Sequence, residues 1–70
     1  MKKVMYEIRL EKKNGLYDRC LNFEHFDDEA SARKRMAEIA EAKKRGSMIE
    51  WCVELWKREE YKNPEWIDFC

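Results

Sequence analysis

Hydrophobic and polar residues alternate near the start of the chain. The apolar members of this pattern occupy every second position and are Val4, Tyr6, Ile8 and Leu10. A period of two is typical of a strand with one buried face. The dipeptide Asn14-Gly15 follows, and this pair tolerates the positive φ angles of a two-residue type I′ turn. The pattern therefore predicts a β-hairpin whose second strand covers residues 16–23.

The second strand has a weaker pattern than the first. Tyr17, Leu21 and Phe23 fall on one of its faces, and Leu16 and Cys20 fall on the other. We expect the face that carries Cys20 to point away from the helix that follows.

A helix is predicted between a pair of aspartates and a glycine. Asp27 and Asp28 can accept hydrogen bonds from the free backbone N–H groups at a helix start. Gly46 follows a basic last turn and is typical of a helix end. Between these signals, apolar groups recur every three or four positions and form one narrow stripe, made of Ala32, Met36, Ile39, Ala40 and the stem of Lys43. Such a stripe predicts a surface helix with one face against a sheet.

Strict alternation returns after the helix. Its apolar members are Ile49, Trp51, Val53 and Leu55. This pattern predicts a long third strand that reaches as far as Tyr61. Asn63-Pro64 then breaks the strand, and we expect one short helical turn that carries Trp66, Ile67 and Phe69 to the C-terminus.

The element order β-β-α-β predicts an α+β fold, formed by residues 1–70 as a single domain. We expect a small two-layer sandwich, in which one helix covers one face of a three-stranded, mainly antiparallel sheet of order 2-1-3, followed by a short aromatic C-terminal tail. In this order Cys20 and Cys52 lie about 10 Å apart, which is too far for a disulfide. The alternative order, 1-2-3, allows these two cysteines to be neighbours.

Composition narrows the classes of function. Fifteen basic and fifteen acidic residues give a formal net charge of zero, which removes the overall positive field that drives non-specific binding to nucleic acid or membranes. The start of the chain lacks the apolar region of a signal peptide, and no apolar run approaches the roughly 18 residues of a membrane span. We therefore expect a cytoplasmic protein without a membrane partner.

The chain lacks the residues that catalysis and metal binding need. Its three cysteines are widely spaced and its single histidine is His25, so we expect no metal site and no cofactor. A Cys₃His site that uses His25 is the alternative. Gly15 and Gly46 are the only glycines, which excludes a glycine-rich phosphate loop. A cysteine paired with His25 is the remaining nucleophilic alternative, but a chain this short can hardly enclose a catalytic pocket. We predict no catalytic residue and a protein that is not an enzyme.

The sheet face that the helix leaves uncovered is the main candidate for function. The residues expected there are Met5, Glu7, Arg9, Glu11, Cys20, Glu50, Cys52, Glu54, Trp56 and Arg58. Trp56 is a large aromatic side chain among charges, so it either packs beneath the tail or marks a binding surface. The aromatic tail can dock on its own sheet or in the groove of a partner. The predicted partner-binding residues are Trp56, Arg58, Tyr61, Trp66 and Phe69.

Other partners give other hypotheses. A homodimer through the uncovered face is one alternative to a different protein. A nucleic-acid site is another, formed by the basic helix end at Lys43, Lys44 and Arg45 together with Tyr61. Glutamates on the same helix weaken the positive field of this site. A third alternative is an oligomer that sequesters a small ligand between its subunits.

The overall layout is a hairpin, a helix that starts at Phe-Asp-Asp-Glu-Ala and a tryptophan-rich last strand. It resembles the layout of many short proteins of phages and mobile elements. The resemblance covers architecture rather than motif, so it transfers no functional residue. The leading hypothesis is a small, non-enzymatic protein that binds another protein stoichiometrically, as an inhibitor or adaptor in a phage or host system.

Overall fold

The structure, a computed structural model, describes residues 3–70. Its elements are β1 (Val4–Asn14), β2 (Asp18–Phe26), α1 (Glu29–Lys44), β3 (Trp51–Glu59) and β4 (Glu65–Phe69). The strands form one sheet of order β2-β1-β3-β4, and every neighbouring pair is antiparallel. The predicted α+β class, the single helix and the 2-1-3 order of the first three strands are confirmed. The predicted number of strands is wrong, because a fourth strand extends the sheet.

The core lies between α1 and the centre of the sheet. In register, Ile8 of β1 lies opposite Leu55 of β3, and Leu10 lies opposite Val53. The helix adds three side chains of its predicted apolar stripe, and the buried set is Ile8, Leu10, Ala32, Met36, Ile39, Val53 and Leu55. This set is small, as expected for a chain of 70 residues, in which folding removes only about 60% of the surface of the unfolded chain.

Both ends of α1 follow their local signals. Asp28 is the N-cap, and its carboxylate accepts a hydrogen bond from the backbone N–H of Ser31 at 2.8 Å. This hydrogen bond lowers the pKa of Asp28 below its ordinary value. At the other end, Gly46 has a φ of +90°, a left-handed conformation that glycine adopts without steric cost. The backbone N–H of Ser47 then donates to the carbonyl oxygen of Ala42 at 2.9 Å, which satisfies one of the last carbonyls of the helix.

The turn between β1 and β2 differs from the prediction. Asn14 pairs with Asp18, so three residues connect the strands instead of two. Only Gly15 of the Asn-Gly pair has a positive φ, +85°, whereas a type I′ turn needs positive φ at both central residues. β2 consequently begins at Asp18 and extends to Phe26.

The longer turn reverses the two faces of β2. The register of β2 against β1 differs from the predicted register by an odd number of residues. Such a shift moves every side chain of a strand to the opposite face. Phe23 now lies opposite Arg9, and Leu21 lies opposite Glu11, on the face turned away from α1. Cys20, which was expected on that face, lies opposite Lys12 in register with the helix side.

The predicted helical turn at the C-terminus is wrong, because Glu65–Phe69 forms β4 along the free edge of β3. Edge strands carry unpaired backbone groups, and β4 satisfies those of β3. Cys70 and Val53 exchange two backbone hydrogen bonds, at 2.9 and 3.2 Å, and Ile67 packs against the core. The Asn-Pro signal is local, so it could not report this long-range pairing.

All three cysteines are free thiols. Cys20 and Cys52 lie on strands separated by β1, as the 2-1-3 order requires. Burial raises the pKa of the Cys70 thiol above its ordinary value. Within residues 3–70, no helix has the length and apolar character needed to cross a bilayer.

Ile8 and Ile49 offer a matched test of the core. Ile8 is 0% exposed and Ile49 is 66% exposed. We expect Ile8→Ala to lower the free energy of unfolding by about 2–5 kcal/mol, a large part of what a domain this small possesses. Ile49→Ala should change it by less than about 0.5 kcal/mol. Urea titration followed by tryptophan fluorescence measures both, and equal losses would contradict the described core.

Candidate protein-binding face

We call the sheet face turned away from α1 the open face. All four strands contribute side chains to it through their register. Its members are Met5, Glu7, Arg9 and Glu11 on β1, Leu21, Phe23 and His25 on β2, Cys52, Glu54, Trp56 and Arg58 on β3, and Trp66 and Phe69 on β4. The face therefore has charged residues at its centre and aromatic residues towards both edges.

Glu7 occupies the centre of the open face and is only 3% exposed. Three cationic or ionisable side chains from three strands surround its carboxylate. His25 Nε2 lies 3.0 Å from Glu7 Oε1, and Arg58 Nη1 donates to the same oxygen at 3.2 Å. Arg9 Nη2 donates to Oε2 at 3.4 Å, a longer and weaker contact. We call these four residues the Glu7 cluster.

The environment of Glu7 favours its ionised form. Burial of the carboxylate opposes ionisation, but hydrogen bonds from His25, Arg58 and Arg9 outweigh burial and lower the pKa of Glu7 below its ordinary value of 4.5. A buried carboxylate without such partners would carry a large desolvation cost. The cluster therefore makes a charged residue compatible with the middle of a sheet.

Arg9 connects the Glu7 cluster to the aromatic residues of the face. The carbon of its guanidinium group lies 5.2 Å from the centre of the Trp56 ring and 5.8 Å from the centre of the Phe23 ring. Both distances are within the range of cation–π attraction. Trp56 is fixed further by a hydrogen bond from its indole Nε1 to Glu54 Oε2 at 2.8 Å. Arg9 thus joins an aromatic residue of β2 to one of β3.

The β4 edge of the open face is apolar and accessible. Trp66 lies opposite Trp56 in register, and its ring centre is 5.9 Å from that of Phe69. Phe69 is 67% exposed, and Trp66 is exposed as well. Phe23, Leu21 and Met5 are also exposed large hydrophobic residues on this face. The helix-covered face holds the core, so these side chains remain available to a partner.

The structure brings four of the five predicted partner-binding residues together. Trp56, Arg58, Trp66 and Phe69 all lie on the open face. Tyr61 lies outside it, in the turn between β3 and β4, with a φ of +65°.

Two residues expected on the open face lie elsewhere. Cys20 is in register with the helix side, as described above. Glu50 precedes β3 and forms an ion pair with Lys12 at 3.6 Å. The reasons differ, because the longer hairpin turn reverses the faces of β2 around Cys20, whereas β3 begins only at Trp51, after Glu50.

The residues of the alternative nucleic-acid site do not share one surface. Lys43, Lys44 and Arg45 end α1, just before β3 begins, whereas Tyr61 follows the far end of β3. A strand of nine residues spans about 30 Å. The aromatic and basic parts of this site are therefore far apart.

The side chains that β2 contributes to the open face were not predicted from the sequence. Leu21, Phe23 and His25 were absent from the expected set because the turn length was underestimated. No local sequence signal reports the observed phase of β2. In the structure, Glu24 lies on the helix side of β2 and forms an ion pair with Arg35 of α1 at 2.8 Å.

Among residues 3–70, no group of three or more histidine, cysteine, aspartate or glutamate side chains has the arrangement of a metal site. No protein-family model, no curated protein and no solved structure matches this chain. The function must therefore be argued from the geometry of the open face.

Glu7→Gln tests the Glu7 cluster against a matched change at Glu11. The amide cannot balance the surrounding cations, so we expect the free energy of unfolding to fall by about 1–3 kcal/mol. Glu11 forms an exposed ion pair with Arg19 at 3.7 Å, and Glu11→Gln should lower stability by no more than about 1 kcal/mol. Chemical unfolding near neutral pH gives both values, and a neutral effect of Glu7→Gln would refute the role of the cluster.

The lowered pKa of Glu7 predicts a dependence of stability on pH. The folded protein binds a proton at Glu7 less readily than the unfolded chain, so this stabilisation is complete above the unfolded value of about 4.5 and is lost as pH falls through the folded pKa. The stability difference between wild type and Glu7→Gln should shrink over that acidic range. Urea unfolding at a series of pH values measures it, and a difference that stayed constant through the range would contradict the assigned pKa direction.

Proposed function

We propose that this protein is a small, non-enzymatic binding module that docks on another protein through the open face. The observation that carries the proposal is the row of exposed aromatic residues beside a fixed ionic centre. Binding energy at protein interfaces is concentrated in a few aromatic and arginine side chains. The proposed contact residues are Trp56, Arg58, Trp66 and Phe69.

The fixed positions of these side chains favour binding. Ordering flexible side chains at an interface costs about 0.5–1.5 kcal/mol for each one. Trp56 is held by Glu54 and Arg9, and Arg58 is held by Glu7. These contacts exist before a partner arrives, so their ordering does not have to occur on binding.

The accessible surface is large for a chain of this mass. It amounts to 5496 Å², whereas a monomer of 8.6 kDa is expected to expose about 4,700 Å². The thin sheet and its uncovered face account for a surplus of this kind.

Stoichiometric docking requires no chemistry from the chain itself. In this proposal the module occupies a surface of its partner, in the cytoplasm, and inhibits or recruits that partner by occupancy alone. An inhibitor or adaptor of a phage or host system would work in this way. The nucleic-acid alternative has less support, because its basic and aromatic parts lie at opposite ends of β3.

Phe69→Ala and Trp66→Ala test the proposal against Tyr61→Ala. All three remove exposed aromatic side chains, but Tyr61 lies outside the open face. Tagged wild type and variants are used to recover partners from the source cells, and affinities are then measured by calorimetry with the purified partner. We expect Phe69→Ala and Trp66→Ala to weaken binding about tenfold or more and Tyr61→Ala to have no effect.

Two results would overturn the proposal. One is unchanged affinity of the two face variants, with circular dichroism showing that they are folded. The other is recovery of nucleic acid whose binding weakens steeply with added salt, because phosphate contacts rather than aromatic contacts would then dominate.

A further inference from the structure

The two edges of the sheet differ in how well they are protected against further pairing. β4 has five residues, follows Pro64 and pairs with β3 through an irregularity between Leu55 and Trp56. Short strands, prolines and bulges are the devices by which proteins prevent pairing at sheet edges. The β4 edge is therefore the less favourable of the two for a further strand.

β2 lacks all three of these devices, and its charged residues Arg19 and Glu24 form ion pairs within the chain, with Glu11 and Arg35. It has nine residues, contains neither proline nor lysine, and pairs with β1 without a register shift. Most of its residues are exposed, and within residues 3–70 it pairs with β1 alone. Its outer backbone groups form a regular row that can accept another strand.

We propose that β2 pairs with β2 of a second copy of this chain, antiparallel and around a twofold axis at Asn22. The two four-stranded sheets then form one continuous eight-stranded sheet. This surface is separate from the β4 side of the open face, so the inference does not depend on the proposed function.

The sequence of β2 is complementary to itself in this register. Asn22 is the middle residue of Asp18–Phe26, so all nine residues find a partner. Leu21 lies opposite Phe23 of the second copy, and the reverse, on the open face. Both side chains are exposed in a single copy, and four of them would form one apolar cluster at the axis. Aromatic and aliphatic cross-strand pairs of this kind stabilise sheets.

Neighbouring registers are less favourable. An axis at Leu21 would place Asp18 opposite Glu24 of the second copy, and like charges in this position repel. An axis at Phe23 would place Leu21 opposite His25 and leave fewer residues paired. The Leu21–Phe23 pairing and the full length of paired strand therefore favour Asn22, and this register also places Arg19 opposite His25 of the second copy.

The tip of the β1–β2 hairpin gives independent support. Leu16 and Tyr17 are two of the most exposed residues of the chain, and Tyr17 is 96% exposed. Extending the proposed pairing by one position brings Tyr17 beside Asp27 of the second copy, where β2 leads into α1. Tyr17, which residues 3–70 leave in solvent, thus gains a neighbour in the dimer.

Leu21→Lys tests the pairing without disturbing the single copy. Leu21 lies opposite Glu11 of β1, so the new ammonium group gains an opposite charge within its own sheet. In the dimer it would face Phe23 of the second copy at the twofold axis. Ile49→Lys is the matched control, since Ile49 is also exposed but precedes β3, two strands away.

Sedimentation velocity over a concentration series measures the result. We expect wild type and Ile49→Lys to dimerise at about 100 μM or below, and Leu21→Lys to dissociate about tenfold more readily. A wild-type protein that stays monomeric at this concentration would overturn the proposal. So would a dimer that Phe69→Ala dissociates and Leu21→Lys does not, because that dimer would use the β4 side of the open face.

A cross-link tests the register. In a Cys20→Ser and Cys52→Ser background, Asn22→Cys places two introduced thiols opposite each other, with α-carbons about 4.5–5.5 Å apart, within disulfide range. Oxidised glutathione should convert this variant to a covalent dimer, whereas Asn63→Cys in the same background should stay monomeric on denaturing gels. Equal cross-linking of both variants, or none for Asn22→Cys, would contradict an axis at Asn22.

Discussion

The open face depends on the hydrogen bonds that hold the buried carboxylate of Glu7. Glu7 lies in the central strand β1, and its partners His25 and Arg58 belong to the strands on either side. Because a buried charge without partners is strongly unfavourable, this cluster favours the observed register of three strands over alternatives in which His25 points to the helix. Arg9 extends the same constraint to Phe23 and Trp56.

The two faces of the sheet are stabilised by different interactions. The helix side holds the small apolar core around Ile8 and Leu55. The open face is held by ion pairs and hydrogen bonds between side chains, and it leaves Trp66 and Phe69 exposed. A sheet that is covered on one face only leaves its other face accessible. Aromatic residues on that face can be exposed and still held in fixed positions. The fold also leaves β2 as a long, regular edge.

Local patterns predicted most of the fold. The alternation around Ile8 and Val53 identified β1 and β3, and the signals at Asp28 and Gly46 identified α1. Two features depended on information that local patterns do not carry. The hairpin has a three-residue turn, since Asn14 pairs with Asp18. The resulting odd shift in register exchanges the two faces of β2. The C-terminal segment forms β4 because it pairs with the free edge of β3. A local turn signal does not report such long-range pairing. Trp56, Arg58, Trp66 and Phe69 were therefore predicted on or near the site, whereas Phe23 and His25 were missed.

An NMR titration of Glu7 tests whether an ionised carboxylate forms the centre of the open face. The side-chain carboxyl carbon of this residue is followed as the pH is lowered, and it is assigned by comparison with Glu7→Gln. A carboxylate held by His25, Arg58 and Arg9 should titrate with a midpoint below 4.5. A midpoint at or above 4.5 would mean that burial outweighs these hydrogen bonds, and the ionic centre of the open face would not exist as described.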